Sequence, residues 1–166
     1  HHWTKSLLAS PDGQHLYEGV GSNSNVGENG MDEENGRAAI WEIDVATGEP
    51  RIFAEGLRNP VGMAWHPQTG ELWVSVNERD ELGSDLVPDY MTAVEEGGFY
   101  GWPWRYWGNH VDQRVEAPMP WDEDEVLEPD YALGAHTASL GLAWIGNDAD
   151  LPEPFAQGMI VGQHGS

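Results

Sequence analysis

An all-β chain made of repeated short-strand units is the fold class that the sequence predicts, on three observations. Trp and Gly are abundant (9 and 21 of 166 residues), while long blocks of helix-favouring Ala, Leu and Lys are missing. Short apolar, β-branched and aromatic runs are punctuated by Pro and Gly turns. The third observation is internal repetition. Setting Pro11 against Pro67 pairs Leu7 with Met63, Leu16 with Leu72, Tyr17 with Trp73 and Val20 with Val76, at a constant offset of 56 residues. A unit of about four short strands, recurring with loop insertions, is the signature of a β-propeller blade. A β-sandwich also carries turn-punctuated strands and is the alternative, but a repeat that matches in residue type as well as spacing favours the propeller.

Each element has a local reason. LLASPDGQHLYEGV (7–20) reads as two strands around a Ser-Pro-Asp-Gly turn. Residues 22–36 (SNSNVGENGMDEENG) are polar, acidic and rich in Gly and Asn, which predicts a surface loop. AAIWEID (38–44) and RIFAEG (51–56) form a second hairpin with Ala46-Thr47-Gly48 at its tip. GMAW (62–65) and ELWVSV (71–76), joined by HPQTG, form a third. Arg58-Asn59-Pro60 precedes that hairpin and Asn77-Glu78-Arg79-Asp80 follows it, so a meander brings the two polar clusters to the same sheet end. LGLAW (140–144) begins a further copy whose partner strand is GMIVGQ (158–163). Residues 81–135 read as a long insertion rich in Pro, Trp and acids, with MTAVEEG (91–97) giving one short helical turn. Trp65, Trp73 and Trp144 fall at strand positions and are assigned to packing.

The length suits one domain, residues 1–166. Blades take about 40–50 residues and closed propellers need at least four. The expectation is therefore a partial propeller of two to three blades with exposed sheet edges, completed by missing blades of the same protein or by a dimer partner. The start, His1-His2-Trp3 without an initiating Met, agrees with a processed or partial chain; a tag remnant is the other reading of His1-His2.

Lys+Arg is 7 against 29 Asp+Glu, a net charge of −22, which argues against nucleic-acid and anionic-membrane partners. The carboxylates read as a solvated acidic surface, the Asp122–Glu128 cluster included, or as cation ligands, most simply for Ca²⁺. With no cysteine, disulfides, zinc–thiolate sites and cysteine nucleophiles are excluded. No apolar run approaches the roughly 20 residues of a membrane helix, and no signal peptide or EF-hand loop is legible.

GLRNPVGMAW (56–65), followed by a strand, a polar loop and GGFYGWP (97–103), resembles the pyrroloquinoline quinone-dependent sugar dehydrogenases, which include glucose, aldose and L-sorbosone dehydrogenases. HWTKSLLASPDGQHLYEGVGSNSN (2–25) is similar to that family's histidine-bearing blade, and HTASLGLAW (136–144) with VGQHGS (161–166) to its sorbosone branch. The resemblance implies a six-bladed propeller that oxidises sugar hydroxyls, with hydride passing to a quinone held and polarised by Ca²⁺.

Carried over by residue, it makes His2 the catalytic base and Arg58 both a catalytic cation and a cofactor contact. Asn59 and Asn77 become cofactor contacts, and the backbone carbonyls of Glu78 and Arg79 the Ca²⁺ ligands. Glu78-Arg79 stands where well-known members have Gly-Pro, and Asp89-Tyr90-Met91-Thr92 where they have an Asp-Glu-Leu-Asn-like segment. His110 falls near a structural Ca²⁺ position of the glucose enzymes; His136 and His164, in loops near sheet ends, are further candidates. The cations that hold the cofactor's carboxylates come largely from later blades in that family. The resemblance further implies a sugar substrate, an electron acceptor and a periplasmic or secreted location. The rival readings are a non-catalytic carbohydrate- or protein-binding propeller and a metal-dependent propeller lactonase. A lactonase needs converging carboxylate, Asn and His ligands, which the strand ends here do not supply.

Overall fold

Turn chemistry sets the hairpins. Asp44 Oδ1 accepts the amides of Ala46 and Thr47 at 2.9 and 2.8 Å, and Asp12 Oδ1 accepts Ser10 Oγ–H and the Gln14 amide at 2.6 and 3.0 Å. These side-chain turns reverse the chain where the sequence places Gly and Pro. The structure is a computed structural model that describes residues 2–3, 5–108, 110–146 and 149–165; His1, and with it half of the tag question, lies outside the described residues. Strands β1 (Ser6–Ala9), β2 (His15–Val20), β3 (Ala39–Asp44) and β4 (Pro50–Glu55) form an antiparallel sheet in sequence order. The remaining strands are β5 (Asn59–Trp65), β6 (Leu72–Asn77), β7 (Pro88–Ala93), β8 (Arg105–Tyr106), β9 (His110–Val111), β10 (Tyr131–Ala135), β11 (Ser139–Ile145) and β12 (Gly158–Gln163). The order β10-β7-β6-β5 makes a second four-stranded sheet; β8 pairs with β9 and β11 with β12. The architecture is an all-β propeller segment: two four-stranded blades and a hairpin.

Three expectations are corrected. MTAVEEG does not form a helical turn: Met91, Thr92 and Ala93 belong to β7 and pair with Ser75, Val74 and Trp73. Pairing on both edges of the strand overrides the local helical preference. Residues 81–135 are accordingly no mere insertion, because β7 and β10 complete the second blade. The loop at 22–36 is only partly a surface loop. Ser22, Ser24, Val26 and Glu34 are buried, and the Glu34 carboxylate accepts the Asn23 amide at 2.7 Å and the Ser24 hydroxyl.

The core is continuous across the blades, with Tyr17, Ile40, Phe53, Leu57, Leu72, Val74, Val76 and Tyr90 among its buried members. Trp65 meets Tyr17 edge-on at 5.2 Å and donates to the Ala9 carbonyl at 2.8 Å, tying blade two to blade one. Trp144 lies 4.5 Å from His66 and does the same for the third sheet. Gly62 makes close sheet contact possible, since a Cβ there would run into the backbone of Leu140 and Leu142. In the GGFYGWP segment Phe99, Tyr100 and Trp102 are buried; Tyr100 Oη donates to the Ala93 carbonyl at 2.8 Å. That knot is structural.

Candidate active site

The register that pairs Asn59 with Asn77 puts the start of β5 and the end of β6 side by side. The two polar clusters therefore meet at one sheet end. They line a cleft of about 340 Å³ with His2, Arg58, Asn59, Asn77, Glu78, Asp80, Asp89 and His136 on its walls.

Arg58 is the centre of this end. Its Nε and Nη2 donate to the carbonyl and side-chain oxygens of Asn25 at 3.1 and 2.9 Å, and Nη1 donates to the Glu78 carbonyl at 2.7 Å. Asp80 lies 3.8 Å from Nη2. Burial draws the guanidinium's pKa down, and Glu78, Asp80 and Asp89 oppose that, so the group stays charged. The loop carrying Asn25 is what closes over Arg58, which explains why a polar stretch is buried.

His2 approaches Asn59 because residue 21 is Gly; a Cβ there would collide with Asn59 Oδ1 and His2. Its Nδ1 sits 2.9 Å from the Ser22 carbonyl and 3.1 Å from Ser22 Oγ. That hydroxyl donates its own hydrogen to the Ser24 carbonyl at 2.6 Å, so the network assigns the proton to Nδ1 and leaves the lone pair on Nε2. Burial, then the Arg58 charge, lowers the His2 pKa to about 4. At neutral pH the ring is an uncharged base. Its titration by NMR should show a midpoint near 4; a midpoint near 6.5 would mean that His2 is not held in this environment. Because the folded pKa lies below the unfolded value, its stabilising effect is complete above about pH 6.5 and is lost as pH falls toward 4.

Glu78 has the opposite sign. Its buried carboxyl accepts the Arg79 amide at 2.9 Å, and burial pushes its pKa up to about 7. The Arg79 amide and Arg58 oppose the rise and Asp89 reinforces it. The unfolded chain gives up this proton near its ordinary value, so folding weakens as pH rises from about 4.5 to 7. Glu78→Gln should remove most of that decline and gain up to about 3 kcal/mol at pH 8. Urea unfolding of both proteins at pH 5 and pH 8 checks this; equal pH slopes would refute it.

Asp89 pins the cleft together. One oxygen accepts the Glu78 amide at 2.9 Å; the other accepts the Ser139 amide at 2.9 Å and the Thr137 hydroxyl at 3.2 Å. His136 presents Nδ1 to Asp80 Oδ1 at 3.2 Å and Nε2 to the Gly83 carbonyl at 2.8 Å. Two acceptors on one ring call for an imidazolium, and the Gly83 carbonyl, followed by Asp80, raises its pKa. Arg58 and His136 are thus both cations of the cleft. The roles of Asp89 and of the Asp80–His136 pair were not assigned from the sequence, where only the acidic residues and the loop position signalled them. His110 packs on Tyr106 at 5.4 Å, and His164 bonds back to the Gly165 carbonyl; neither lines the cleft.

The expected calcium ligands are the backbone carbonyls of Glu78 and Arg79, and the first of these already accepts Arg58 Nη1 at 2.7 Å. Arg79 does not line the cleft: its guanidinium turns to Asp112 at 2.7 Å and to the Asp80 carbonyl at 2.8 Å. Among the described residues, no group of three or more Asp, Glu or His side chains is arranged to hold a metal.

The profile of the glucose/sorbosone dehydrogenase family matches residues 1–162. The chain belongs to that family. Aldose sugar dehydrogenase YliI of Escherichia coli is 34% identical over 76 residues, which are 46% of this family member and 16% of that protein. The family member is also similar in structure to a carbohydrate-active enzyme of family AA12 from Trichoderma reesei, with a TM-score of 0.74 at 20% identity, covering 89% of this chain and 47% of that one. The quinone (PQQ) domain of a pyranose dehydrogenase from Coprinopsis cinerea gives a TM-score of 0.69 at 19% identity, covering 92% and 46%. This glucose/sorbosone dehydrogenase family member therefore spans about half the length of those structures, and at these identities they establish the fold.

Proposed function

We propose that this family member serves the oxidation of a sugar or aldose hydroxyl with pyrroloquinoline quinone as hydride acceptor, as part of one larger propeller domain. One observation carries the reading: a neutral, half-buried imidazole, His2, shares a cleft with a buried guanidinium and an amide, Arg58 and Asn59. The quinone fits what the cleft offers. A volume of about 340 Å³ is in the range of small-molecule sites, and Arg58, His136 and Asn59 suit an oxygen-rich anion. When bound, the quinone would accept the hydride of the substrate carbon.

The protein's own part is positional and protic. His2 Nε2 accepts the substrate's hydroxyl proton, while Ser22 holds the ring through Nδ1. Arg58 presents fixed positive charge where negative charge develops, and Asn25 and Glu78 hold it in register without rearrangement. Asn59 is oriented by Asn77, to which its Nδ2 donates at 3.3 Å. No step is assigned to calcium.

A sugar and a separate electron acceptor are the proposed small-molecule partners, and the periplasm or the exterior the proposed location. Among the described residues, no helix is long and apolar enough to cross a membrane. Leu7 on β1 is 63% exposed, an apolar edge that suits covering by further blades or a second chain.

Calorimetric titration of the quinone, with and without Ca²⁺, tests the proposal. Saturable binding supports it, and absence of binding under both conditions counts against it. Binding that needs calcium would support the Glu78 and Arg79 carbonyls as the ligands of that cation.

A further inference from the structure

A second cleft, of about 450 Å³, opens at the same end of the sheets as the first, on the outer side of blade one. One wall is the segment from Asp32 to Ala38 with the end of β4; the other is the 99–104 segment with Pro120 and Trp121. Both walls come from this chain: the β2–β3 connection with the end of β4, and the connection between β7 and β10.

Its lining combines flat apolar rings with unengaged charges. Trp121 stacks on Phe99 with ring centroids 5.0 Å apart and planes 7° from parallel, and Trp104 stands 6.1 Å from the same Phe99. Trp104 is fixed by donation from its indole nitrogen to the Ala117 carbonyl at 2.7 Å. Both tryptophans are only part-buried. Glu55 is part-buried as well, its pKa is raised by burial, and among the described residues its carboxylate makes no hydrogen bond or ion pair. Asp32 and Arg37 also line this cleft; among the described residues their side chains make no hydrogen bond or ion pair, and the Arg37 charge acts on His2 and Lys5.

We propose that this cleft binds a neutral saccharide, apart from the quinone-site cleft and independently of the quinone reading. Pyranose rings present apolar C–H faces and a rim of hydroxyls. The faces lie against Trp121 and Trp104; the hydroxyls donate to Glu55 and Asp32. Acidic saccharides are disfavoured by the net charge of −22.

The test is calorimetric titration with cellotetraose, a neutral β-linked glucose tetramer, in the absence of quinone and calcium. A saturable isotherm is expected, weakened about tenfold by Trp121→Ala, in line with loss of one aromatic platform. Glu55→Gln keeps the shape of the side chain and removes its charge, so it serves where Trp121→Ala disturbs folding; it should weaken binding several-fold. No saturable binding would overturn the proposal, as would binding that both substitutions leave unchanged. Tighter binding of polygalacturonate than of cellotetraose would overturn the neutral assignment. A failed quinone titration leaves this result standing, and a failed saccharide titration leaves the quinone reading standing.

Discussion

Replacing Asp112 by Ala is expected to lower the unfolding free energy by about 3–5 kcal/mol. Arg79 and Asp112 are both buried, at 1% and 4% exposure, and meet at 2.7 Å. Asp112 also accepts the Arg114 amide at 3.1 Å, and its own amide donates to the Trp104 carbonyl at 2.8 Å. Truncating the acid leaves a guanidinium in a dry environment with one remaining hydrogen bond, to the Asp80 carbonyl. The loss comes from that stranded charge, not from the intrinsic worth of the pair. The double substitution Arg79→Met, Asp112→Leu should therefore cost much less than Asp112→Ala alone. Urea denaturation of the three proteins decides it. A single-variant loss below about 1 kcal/mol would mean that water reaches Arg79.

Arg58→Lys should weaken quinone binding about a hundredfold, equivalent to about 3 kcal/mol. A lysine carries the charge but not the fork that spans Asn25 and Glu78. It cannot satisfy both loops from one point, so the segments at 22–36 and 78–83 should exchange amide hydrogens faster as well. Calorimetry for the quinone and hydrogen exchange for the loops report the two effects separately. If Lys binds the quinone as tightly as Arg, the site needs only a point charge, and the positional argument for Arg58 fails.

The hairpins were legible because their turns are decided locally, by Asp12, Asp44, Pro67 and the glycines beside them. The convergence of Arg58 and Asn59 with Asn77 was legible for the same reason: a short hairpin leaves its flanking residues adjacent. Strand β7 was not, because MTAVEEG has helical composition and only its pairing with β6 and β10 makes it extended. The burial of Ser22, Ser24 and Glu34 was hidden by composition, since polar residues that satisfy each other look the same in sequence as polar residues facing water. His136 reaches Asp80 across 56 residues, through the joint placement of β10, β11 and the loop after β6. No local pattern encodes that distance. The Arg58 contact with the Glu78 carbonyl belongs to the same class.

The carbonyl oxygen of Asn25 accepts from Arg58 Nε at 3.1 Å and from the indole nitrogen of Trp102 at 2.9 Å. Arg58 lines one cleft and Trp102 the other. A peptide group is planar and rigid, so its oxygen cannot follow one donor without shifting against the second. The two pockets are geared through a single atom: a tilt of that plane, small enough to leave every strand in place, changes the seat of the guanidinium and the stance of the tryptophan in one motion.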